Sequence, residues 1–144
     1  MFSKACEYGI KAAVFIAVKS HQESRVSLNE VAKEINSPLA FTAKVLQQLT
    51  KSSIIESIKG PNGGFEINKN KTAKVMLSKI VSAIDGDSIY KGCGLGFNKC
   101  NESKPCPVHH KFKRIRNDLQ QMLETTSLLD LSNDINNGIT FLKR

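Results

Sequence analysis

A chain of 144 residues, 40% apolar and 24% charged, can bury one ordinary core with an appended element and has no room for several domains. Its 21 Lys and Arg against 13 Asp and Glu give a formal net charge of +8, which attracts polyanions and makes nucleic acid the first partner to consider, provided a motif supports it. No run approaches the roughly 20 apolar residues of a membrane helix, and Lys4, Glu7 and Lys11 interrupt any signal-peptide pattern, so no membrane partner and a cytoplasmic location are expected.

Ile10, Ala13, Val14 and Ala17 fall at helical spacing over residues 7–20 and predict an amphipathic first helix. Ser27-Leu28-Asn29-Glu30 has the form of a capping box and opens a short helix through Ile35. Ser37 as cap and Pro38 at the first helical position then start a third helix from about 38 to 52. Three such helices predict helix-turn-helix topology. On the third, Phe41, Val45, Leu46 and Leu49 share one side and leave Thr42, Lys44, Gln47, Gln48 and Lys51 for the other, a face suited to the major groove.

Ile54–Lys59 and Phe65–Asn68 are β-prone runs around Gly60-Pro61-Asn62-Gly63-Gly64, a turn signal that predicts a hairpin. A hairpin directly after a recognition helix is a wing, whose Lys59, Lys69 and Lys71 can track phosphates. The candidate DNA-contacting set is therefore Ser27, Pro38, Thr42, Lys44, Gln47, Gln48 and Lys51 on the helices, with Lys59, Asn62 and Gly63 in the wing. Thr72 is expected to cap a linker helix running through Ala83.

Four cysteines in a reducing compartment argue for metal or redox chemistry rather than a disulfide scaffold. Cys6 stands apart as a buried, unreactive thiol, whereas Cys93, Cys100 and Cys106 share one Gly- and Pro-containing loop that can fold back on itself, with His109 three residues on. Three Cys and one His suit either an iron-sulfur cluster or a closed zinc site. Typical zinc ligands come in short C-x2-C steps, and the intervals here hold six and five residues, which favours a cluster. Lys104, Lys111, Lys113 and Arg114 surround the loop and can lower thiol pKa values or offset cluster charge. Beyond the loop, Val108, Phe112, Ile115, Leu119 and Met122 recur at steps of four and three, the seam of a helix that wants a partner. The Asn-rich stretch after Ser132 carries no functional signal, and no nucleophile–base pattern or phosphate-cradling glycine loop points to an enzyme or a small-molecule substrate.

Taken in order, Phe41–Leu49, the run Ile54–Phe65 with its glycine turn, and the three spaced cysteines resemble the Rrf-type IscR, NsrR and CymR group of bacterial winged-helix regulators over essentially the whole chain. The resemblance implies a mostly α fold with a small β-hairpin. A winged helix-turn-helix domain would occupy residues 1–71. Residues 72–144 would hold the linker helix, the cysteine loop (92–109), a dimerisation helix (about 107–126) and a C-terminal segment. It also implies a homodimeric regulator on a double-stranded DNA operator, with half-sites one or more helical turns apart, sensing redox, nitric oxide or iron-sulfur status.

The cysteine set places the chain with the cluster-binding members, and Cys93, Cys100 and Cys106 match their thiolate ligands, with six residues in the first interval where five are common. His109 stands where IscR-like members place a histidine ligand, which favours a 2Fe-2S cluster. Other members recruit an acidic residue from the first helix of the second copy; Glu7 holds that place and would suit 4Fe-4S. Ala43 and Lys44 replace the acidic and amide readers of IscR-like proteins, so the operator sequence does not carry over. The alternative expectation is a zinc-stabilised DNA-binding regulator without a redox-active cluster.

Overall fold

The computed structural model describes residues 1–143. Helix α1 (Lys4–His21) is its axis. The Ser3 hydroxyl accepts from the Cys6 amide at 3.0 Å and starts the helix three residues before the expected position. Residues Ala12–Val18 are buried on every face, because helices α3, α5 and α8, described below, all pack against α1. The helix is therefore central rather than amphipathic at the surface.

Helix α2 (Leu28–Glu34) begins at the expected capping box. Ser27 Oγ accepts from Glu30 N at 3.1 Å and the Glu30 carboxylate accepts from Ser27 N at 3.2 Å. Asn36, in the left-handed region at φ 51°, turns the chain into α3 (Leu39–Lys51). Pro38 is the N-cap residue here and Ser37 does not cap; its hydroxyl meets that of Thr42 instead. Thr42 is 0% exposed and donates to the Pro38 carbonyl at 2.8 Å. The Pro38 carbonyl also accepts from the Thr42 amide at 2.9 Å, and its second lone pair satisfies the inward-facing hydroxyl, which removes Thr42 from the reading face assigned to it by polarity. Val45, Leu46 and Leu49 are buried as expected, and Phe41 is half-buried, edge-to-face with Tyr8 at 5.6 Å.

The wing pairs β1 (Glu56–Ile58) with β2 (Gly64–Glu66) in antiparallel register Glu56↔Glu66, Ser57↔Phe65 and Ile58↔Gly64. Its strands are shorter than expected because Ile54 and Ile55 turn into the core and Ile67 follows them. Val26 adds a short third edge, exchanging backbone bonds with Phe65 at 3.1 and 2.7 Å. Gly64 has φ 140°, and a β-carbon there would lie 2.7 Å from the Val26 carbonyl oxygen, so this turn residue admits only glycine.

Thr72 does not open the linker helix. It closes the short α4 (Lys69–Thr72), buried and donating to the Lys69 carbonyl at 2.8 Å. Helix α5 (Leu77–Ile84) starts later, because Leu77 N–H donates to Thr126 O and Leu128 N–H to Val75 O, both at 2.9 Å, holding Val75–Leu77 extended. After α6 (Ser88–Lys91) and the cysteine loop come α7 (His109–Thr125) and α8 (Leu128–Asn136). Helix α8, begun by a second capping box between Ser127 and Asp130, covers the stretch after Ser132 for which no role was expected and packs along α1. One core runs from Cys6 to Leu128, continuous across residue 71. Among the described residues no helix is long and apolar enough to cross a membrane.

Candidate functional site

The cysteine loop folds back through local hydrogen bonds. The Asn101 carboxamide oxygen accepts from the N–H groups of Ser103 and Lys104 at 2.8 and 3.2 Å, reversing the chain between Cys100 and Cys106. The His109 N–H donates to the Cys106 carbonyl at 3.0 Å, so these two residues flank the turn that starts α7, two residues later than Pro107. At Gly94 the loop backbone lies so close to the Phe112 ring of α7 that a β-carbon would come within 2.6 Å of it.

These bonds bring Cys93, Cys100, Cys106 and His109 to the wall of one recess of about 360 Å³. Cys100 Sγ is 3.2 Å from His109 Nδ1. The peptide N–H groups of Leu95 and then Phe97 hold the Cys93 thiol below its ordinary pKa, and the Cys106 side chain beside it adds to the effect. At Cys93 this lowering comes from backbone amides and not from the surrounding lysines, of which Lys113 pairs with Glu102. His109 is 3% exposed, and its Nε2 has no hydrogen-bond partner among the described residues. A buried ring nitrogen left in that condition is costly unless something satisfies it.

The donor set fits an iron-sulfur cluster: three soft thiolates, one imidazole and a recess larger than a single ion. A mononuclear zinc site needs donors at about 2.0–2.3 Å from one point. Among the described residues no three His, Cys, Asp or Glu side chains converge closely enough to hold one ion. Glu7 pairs with Lys4 at 3.2 Å and does not line the recess of its own chain. Cys6 is 0% exposed and burial pushes its thiol up to about 12, with Asp85 adding to the shift, so it stays protonated and inert.

Helix α3 exposes Lys44, Gln47, Gln48 and Lys51 along one face, and the wing exposes Lys59 and Asn62. Pro38 and Ser27 are exposed at the starts of their helices, although the Ser27 hydroxyl is occupied by the cap. Gly63 is half-buried, its N–H donating to Gly60 O at 2.9 Å. Lys69 and Lys71 lie on α4 and not on the wing; Lys69 pairs with Glu23 and Lys71 donates to the Ser53 carbonyl. One contributor was missed: Arg25 grips the wing, with Nε 2.9 Å from Glu66 Oε2 and a terminal N–H donating to the Asn62 carbonyl at 3.0 Å. Its signal was a lone basic residue just before the Val26 edge, indistinguishable in sequence from a solvated arginine.

A three-helix unit with a glycine-turned hairpin behind its third helix defines the winged helix-turn-helix class. The profile of the Rrf2 family, described as an iron-dependent transcriptional regulator, matches residues 2–134, and the chain belongs to that family. It is 32% identical over 135 residues to a protein of Aquifex aeolicus named as an HTH-type transcriptional regulator, covering 92% of each chain. It is 26% identical to the HTH-type transcriptional regulator NsrR of Oceanobacillus iheyensis, covering 89% of this chain and 86% of the other. The solved structure of CymR, the global cysteine regulator of B. subtilis, matches with a TM-score of 0.76 at 22% identity over 92% of this chain and 96% of that one, a likeness of fold. The protein is a transcriptional regulator of the Rrf2 family.

Proposed function

We propose that the chain acts as a homodimer on double-stranded DNA and that its operator affinity changes with an iron-sulfur cluster held by Cys93, Cys100 and Cys106, with His109 as the fourth ligand. The observation that carries this reading is the gathering of the four donors on the wall of one recess, with Cys100 Sγ 3.2 Å from His109 Nδ1. Two irons of a 2Fe-2S cluster each take two protein ligands, and the recess offers four donors in all. When bound, the cluster supplies an iron centre sensitive to redox state, nitric oxide or iron-sulfur status, and the single nitrogen ligand raises its potential. A 4Fe-4S cluster completed by Glu7 of a second copy is the other assignment, and uptake by His109→Ala but not by Glu7→Ala would select it.

The chain's own residues do the rest. Ordering of the loop is passed to α7 where Gly94 meets Phe112, and α7 carries the seam that a second copy covers. A change in α7 pairing resets the spacing of the two α3 helices. Coupling of about 1–3 kcal/mol between cluster and DNA, a 5- to 150-fold change in affinity, is the expected scale.

DNA contact is assigned to the exposed face of α3 and to the wing tip. Lys59→Ala, at a phosphate-tracking position, is expected to weaken binding to every sequence and reduce the salt dependence by about one unit of slope per lysine removed. Gln47→Ala, at a base-reading position, is expected to cost about 1–3 kcal/mol and relax preference at one operator position. Titrations at several salt concentrations separate the two. Footprinting of the holo and apo protein tests the reading as a whole: two protected half-sites with cluster-dependent affinity support it, and a single site bound by a monomer removes it.

A further inference from the structure

Arg116 lies two turns after His109 on α7 and is only 9% exposed. Residues 109, 116 and 123, seven apart, are all buried, so this face of the helix turns toward its own chain while the apolar seam turns out. Burying a guanidinium is costly unless an anion meets it. Yet among the described residues no carboxylate lies within ion-pair distance of Arg116. Instead one terminal N–H donates to the Gly92 carbonyl and the other is 3.3 Å from Cys100 Sγ, while Nε has no partner among the described residues. A buried cation with no counter-charge of its own, aimed at a sulfur that already faces His109, is arranged to receive negative charge from that direction.

We infer that Arg116 is a positioning residue for the metal site: its guanidinium holds the loop at Gly92 and donates to the Cys100 sulfur, so that α7 reads the charge and occupancy of the cluster directly. This rests on the cluster reading above. A thiolate-bound iron-sulfur cluster carries net negative charge, and partners of ligating groups orient the ligand and tune the metal. An N–H donated to a ligating sulfur withdraws electron density and favours the reduced state, which raises the potential. The same residue ties the start of the loop to its middle, since Gly92 precedes the first ligand and Cys100 is the second. Lysine keeps the charge but not the planar fork that reaches two acceptors at once.

The test compares wild type, Arg116→Met and Arg116→Lys as full-length dimers reconstituted anaerobically with iron and sulfide. Readouts are the cluster's lifetime after dilution, its reduction potential and the melting temperature of the apo protein. Arg116→Met is expected to shorten the lifetime 10- to 100-fold, the usual loss when such a partner is removed, and to lower the potential, while the apo melting temperature is unchanged or higher because an uncompensated buried charge has gone. Arg116→Lys, which keeps the charge should the methionine variant fold poorly, is expected to fall between. Equal lifetimes and potentials in all three proteins overturn the Arg116 assignment while leaving the cluster reading intact. A lower apo melting temperature in Arg116→Met with unchanged potential makes the residue merely structural and also overturns it. Wild type that takes up no iron overturns the cluster reading itself.

Discussion

Cys100→Ser is expected to fold and dimerise normally and to carry no cluster. The thiolate is a soft donor suited to iron in a sulfide environment, whereas a serine hydroxyl is a hard and far weaker one. Cys100 also meets His109 Nδ1 at 3.2 Å and Arg116 at 3.3 Å, so its sulfur ties the loop to two residues of α7. Removing it disorganises the recess beyond the loss of a single ligand. The cost to the fold is small by contrast, because Cys100 lies on a loop outside the continuous core, where substitutions typically stay within about 0.5 kcal/mol. Iron quantitation, visible spectroscopy and an apo melting curve check all of this together. Operator affinity of the variant should match that of wild-type apo protein and show no response to iron. Full iron retention with a wild-type spectrum would remove Cys100 from the ligand set.

Ile115→Asp is expected to turn dimers into monomers and to abolish tight operator binding. Phe112, Ile115 and Met122 form an exposed apolar stripe on α7, with Ile115 58% exposed, and Leu95 and Phe97 of the cysteine loop are exposed as well. The chain covers these side chains only in part, with Gly94 lying against one side of Phe112. In a two-fold dimer each substitution occurs twice on the same self-complementary surface, so a carboxylate at position 115 is desolvated twice and faces apolar groups or its own copy. An unpaired buried charge costs several kcal/mol, enough to shift dissociation by two or more orders of magnitude. The isolated fold should be untouched, since the side chain is already in water there. Light scattering across a concentration series, with circular dichroism as the control for folding, distinguishes loss of the dimer from loss of the fold. DNA affinity should fall with the dimer, because a monomer reaches one half-site only.

Much of this architecture was readable from residues alone where local chemistry decides the outcome. The Ser27–Glu30 capping box, the glycine turn of the wing and the apolar side of α3 depend on neighbours within a few positions, and each stands where expected. The failures are cases where a hydrogen bond or packing contact overrides what residue type alone suggests. Thr42 looked like a surface reader but turns inward because Ser37 and the Pro38 carbonyl satisfy its hydroxyl. Thr72 looked like a helix start, yet the bonds between Val75–Leu77 and the Thr126–Leu128 junction interrupt any helix there. Helix α8 was hidden because its second half carries Ser132, Asn133, Asp134 and Asn136, residues of modest helix preference; contact with α1 stabilises it.

The candidate site divides the same way. Its thiols and imidazole were evident from residue type and spacing, and the recess brings them together. Arg116 and Arg25 were not evident, since arginines are normally solvated and burial of one is a property of the folded chain. A pattern search for apolar residues along α7 selects the outward seam and passes over the inward face on which His109, Arg116 and Leu123 lie.

The central claim is that the loop holds iron, and the most direct measurement is quantitation of iron, acid-labile sulfide and zinc in anaerobically purified protein, before and after reconstitution. The account predicts brown protein with about two iron and two sulfide per chain for the favoured cluster, and zinc only in traces. Colourless protein with one zinc per chain, or with neither iron nor sulfide after attempted reconstitution, would contradict it.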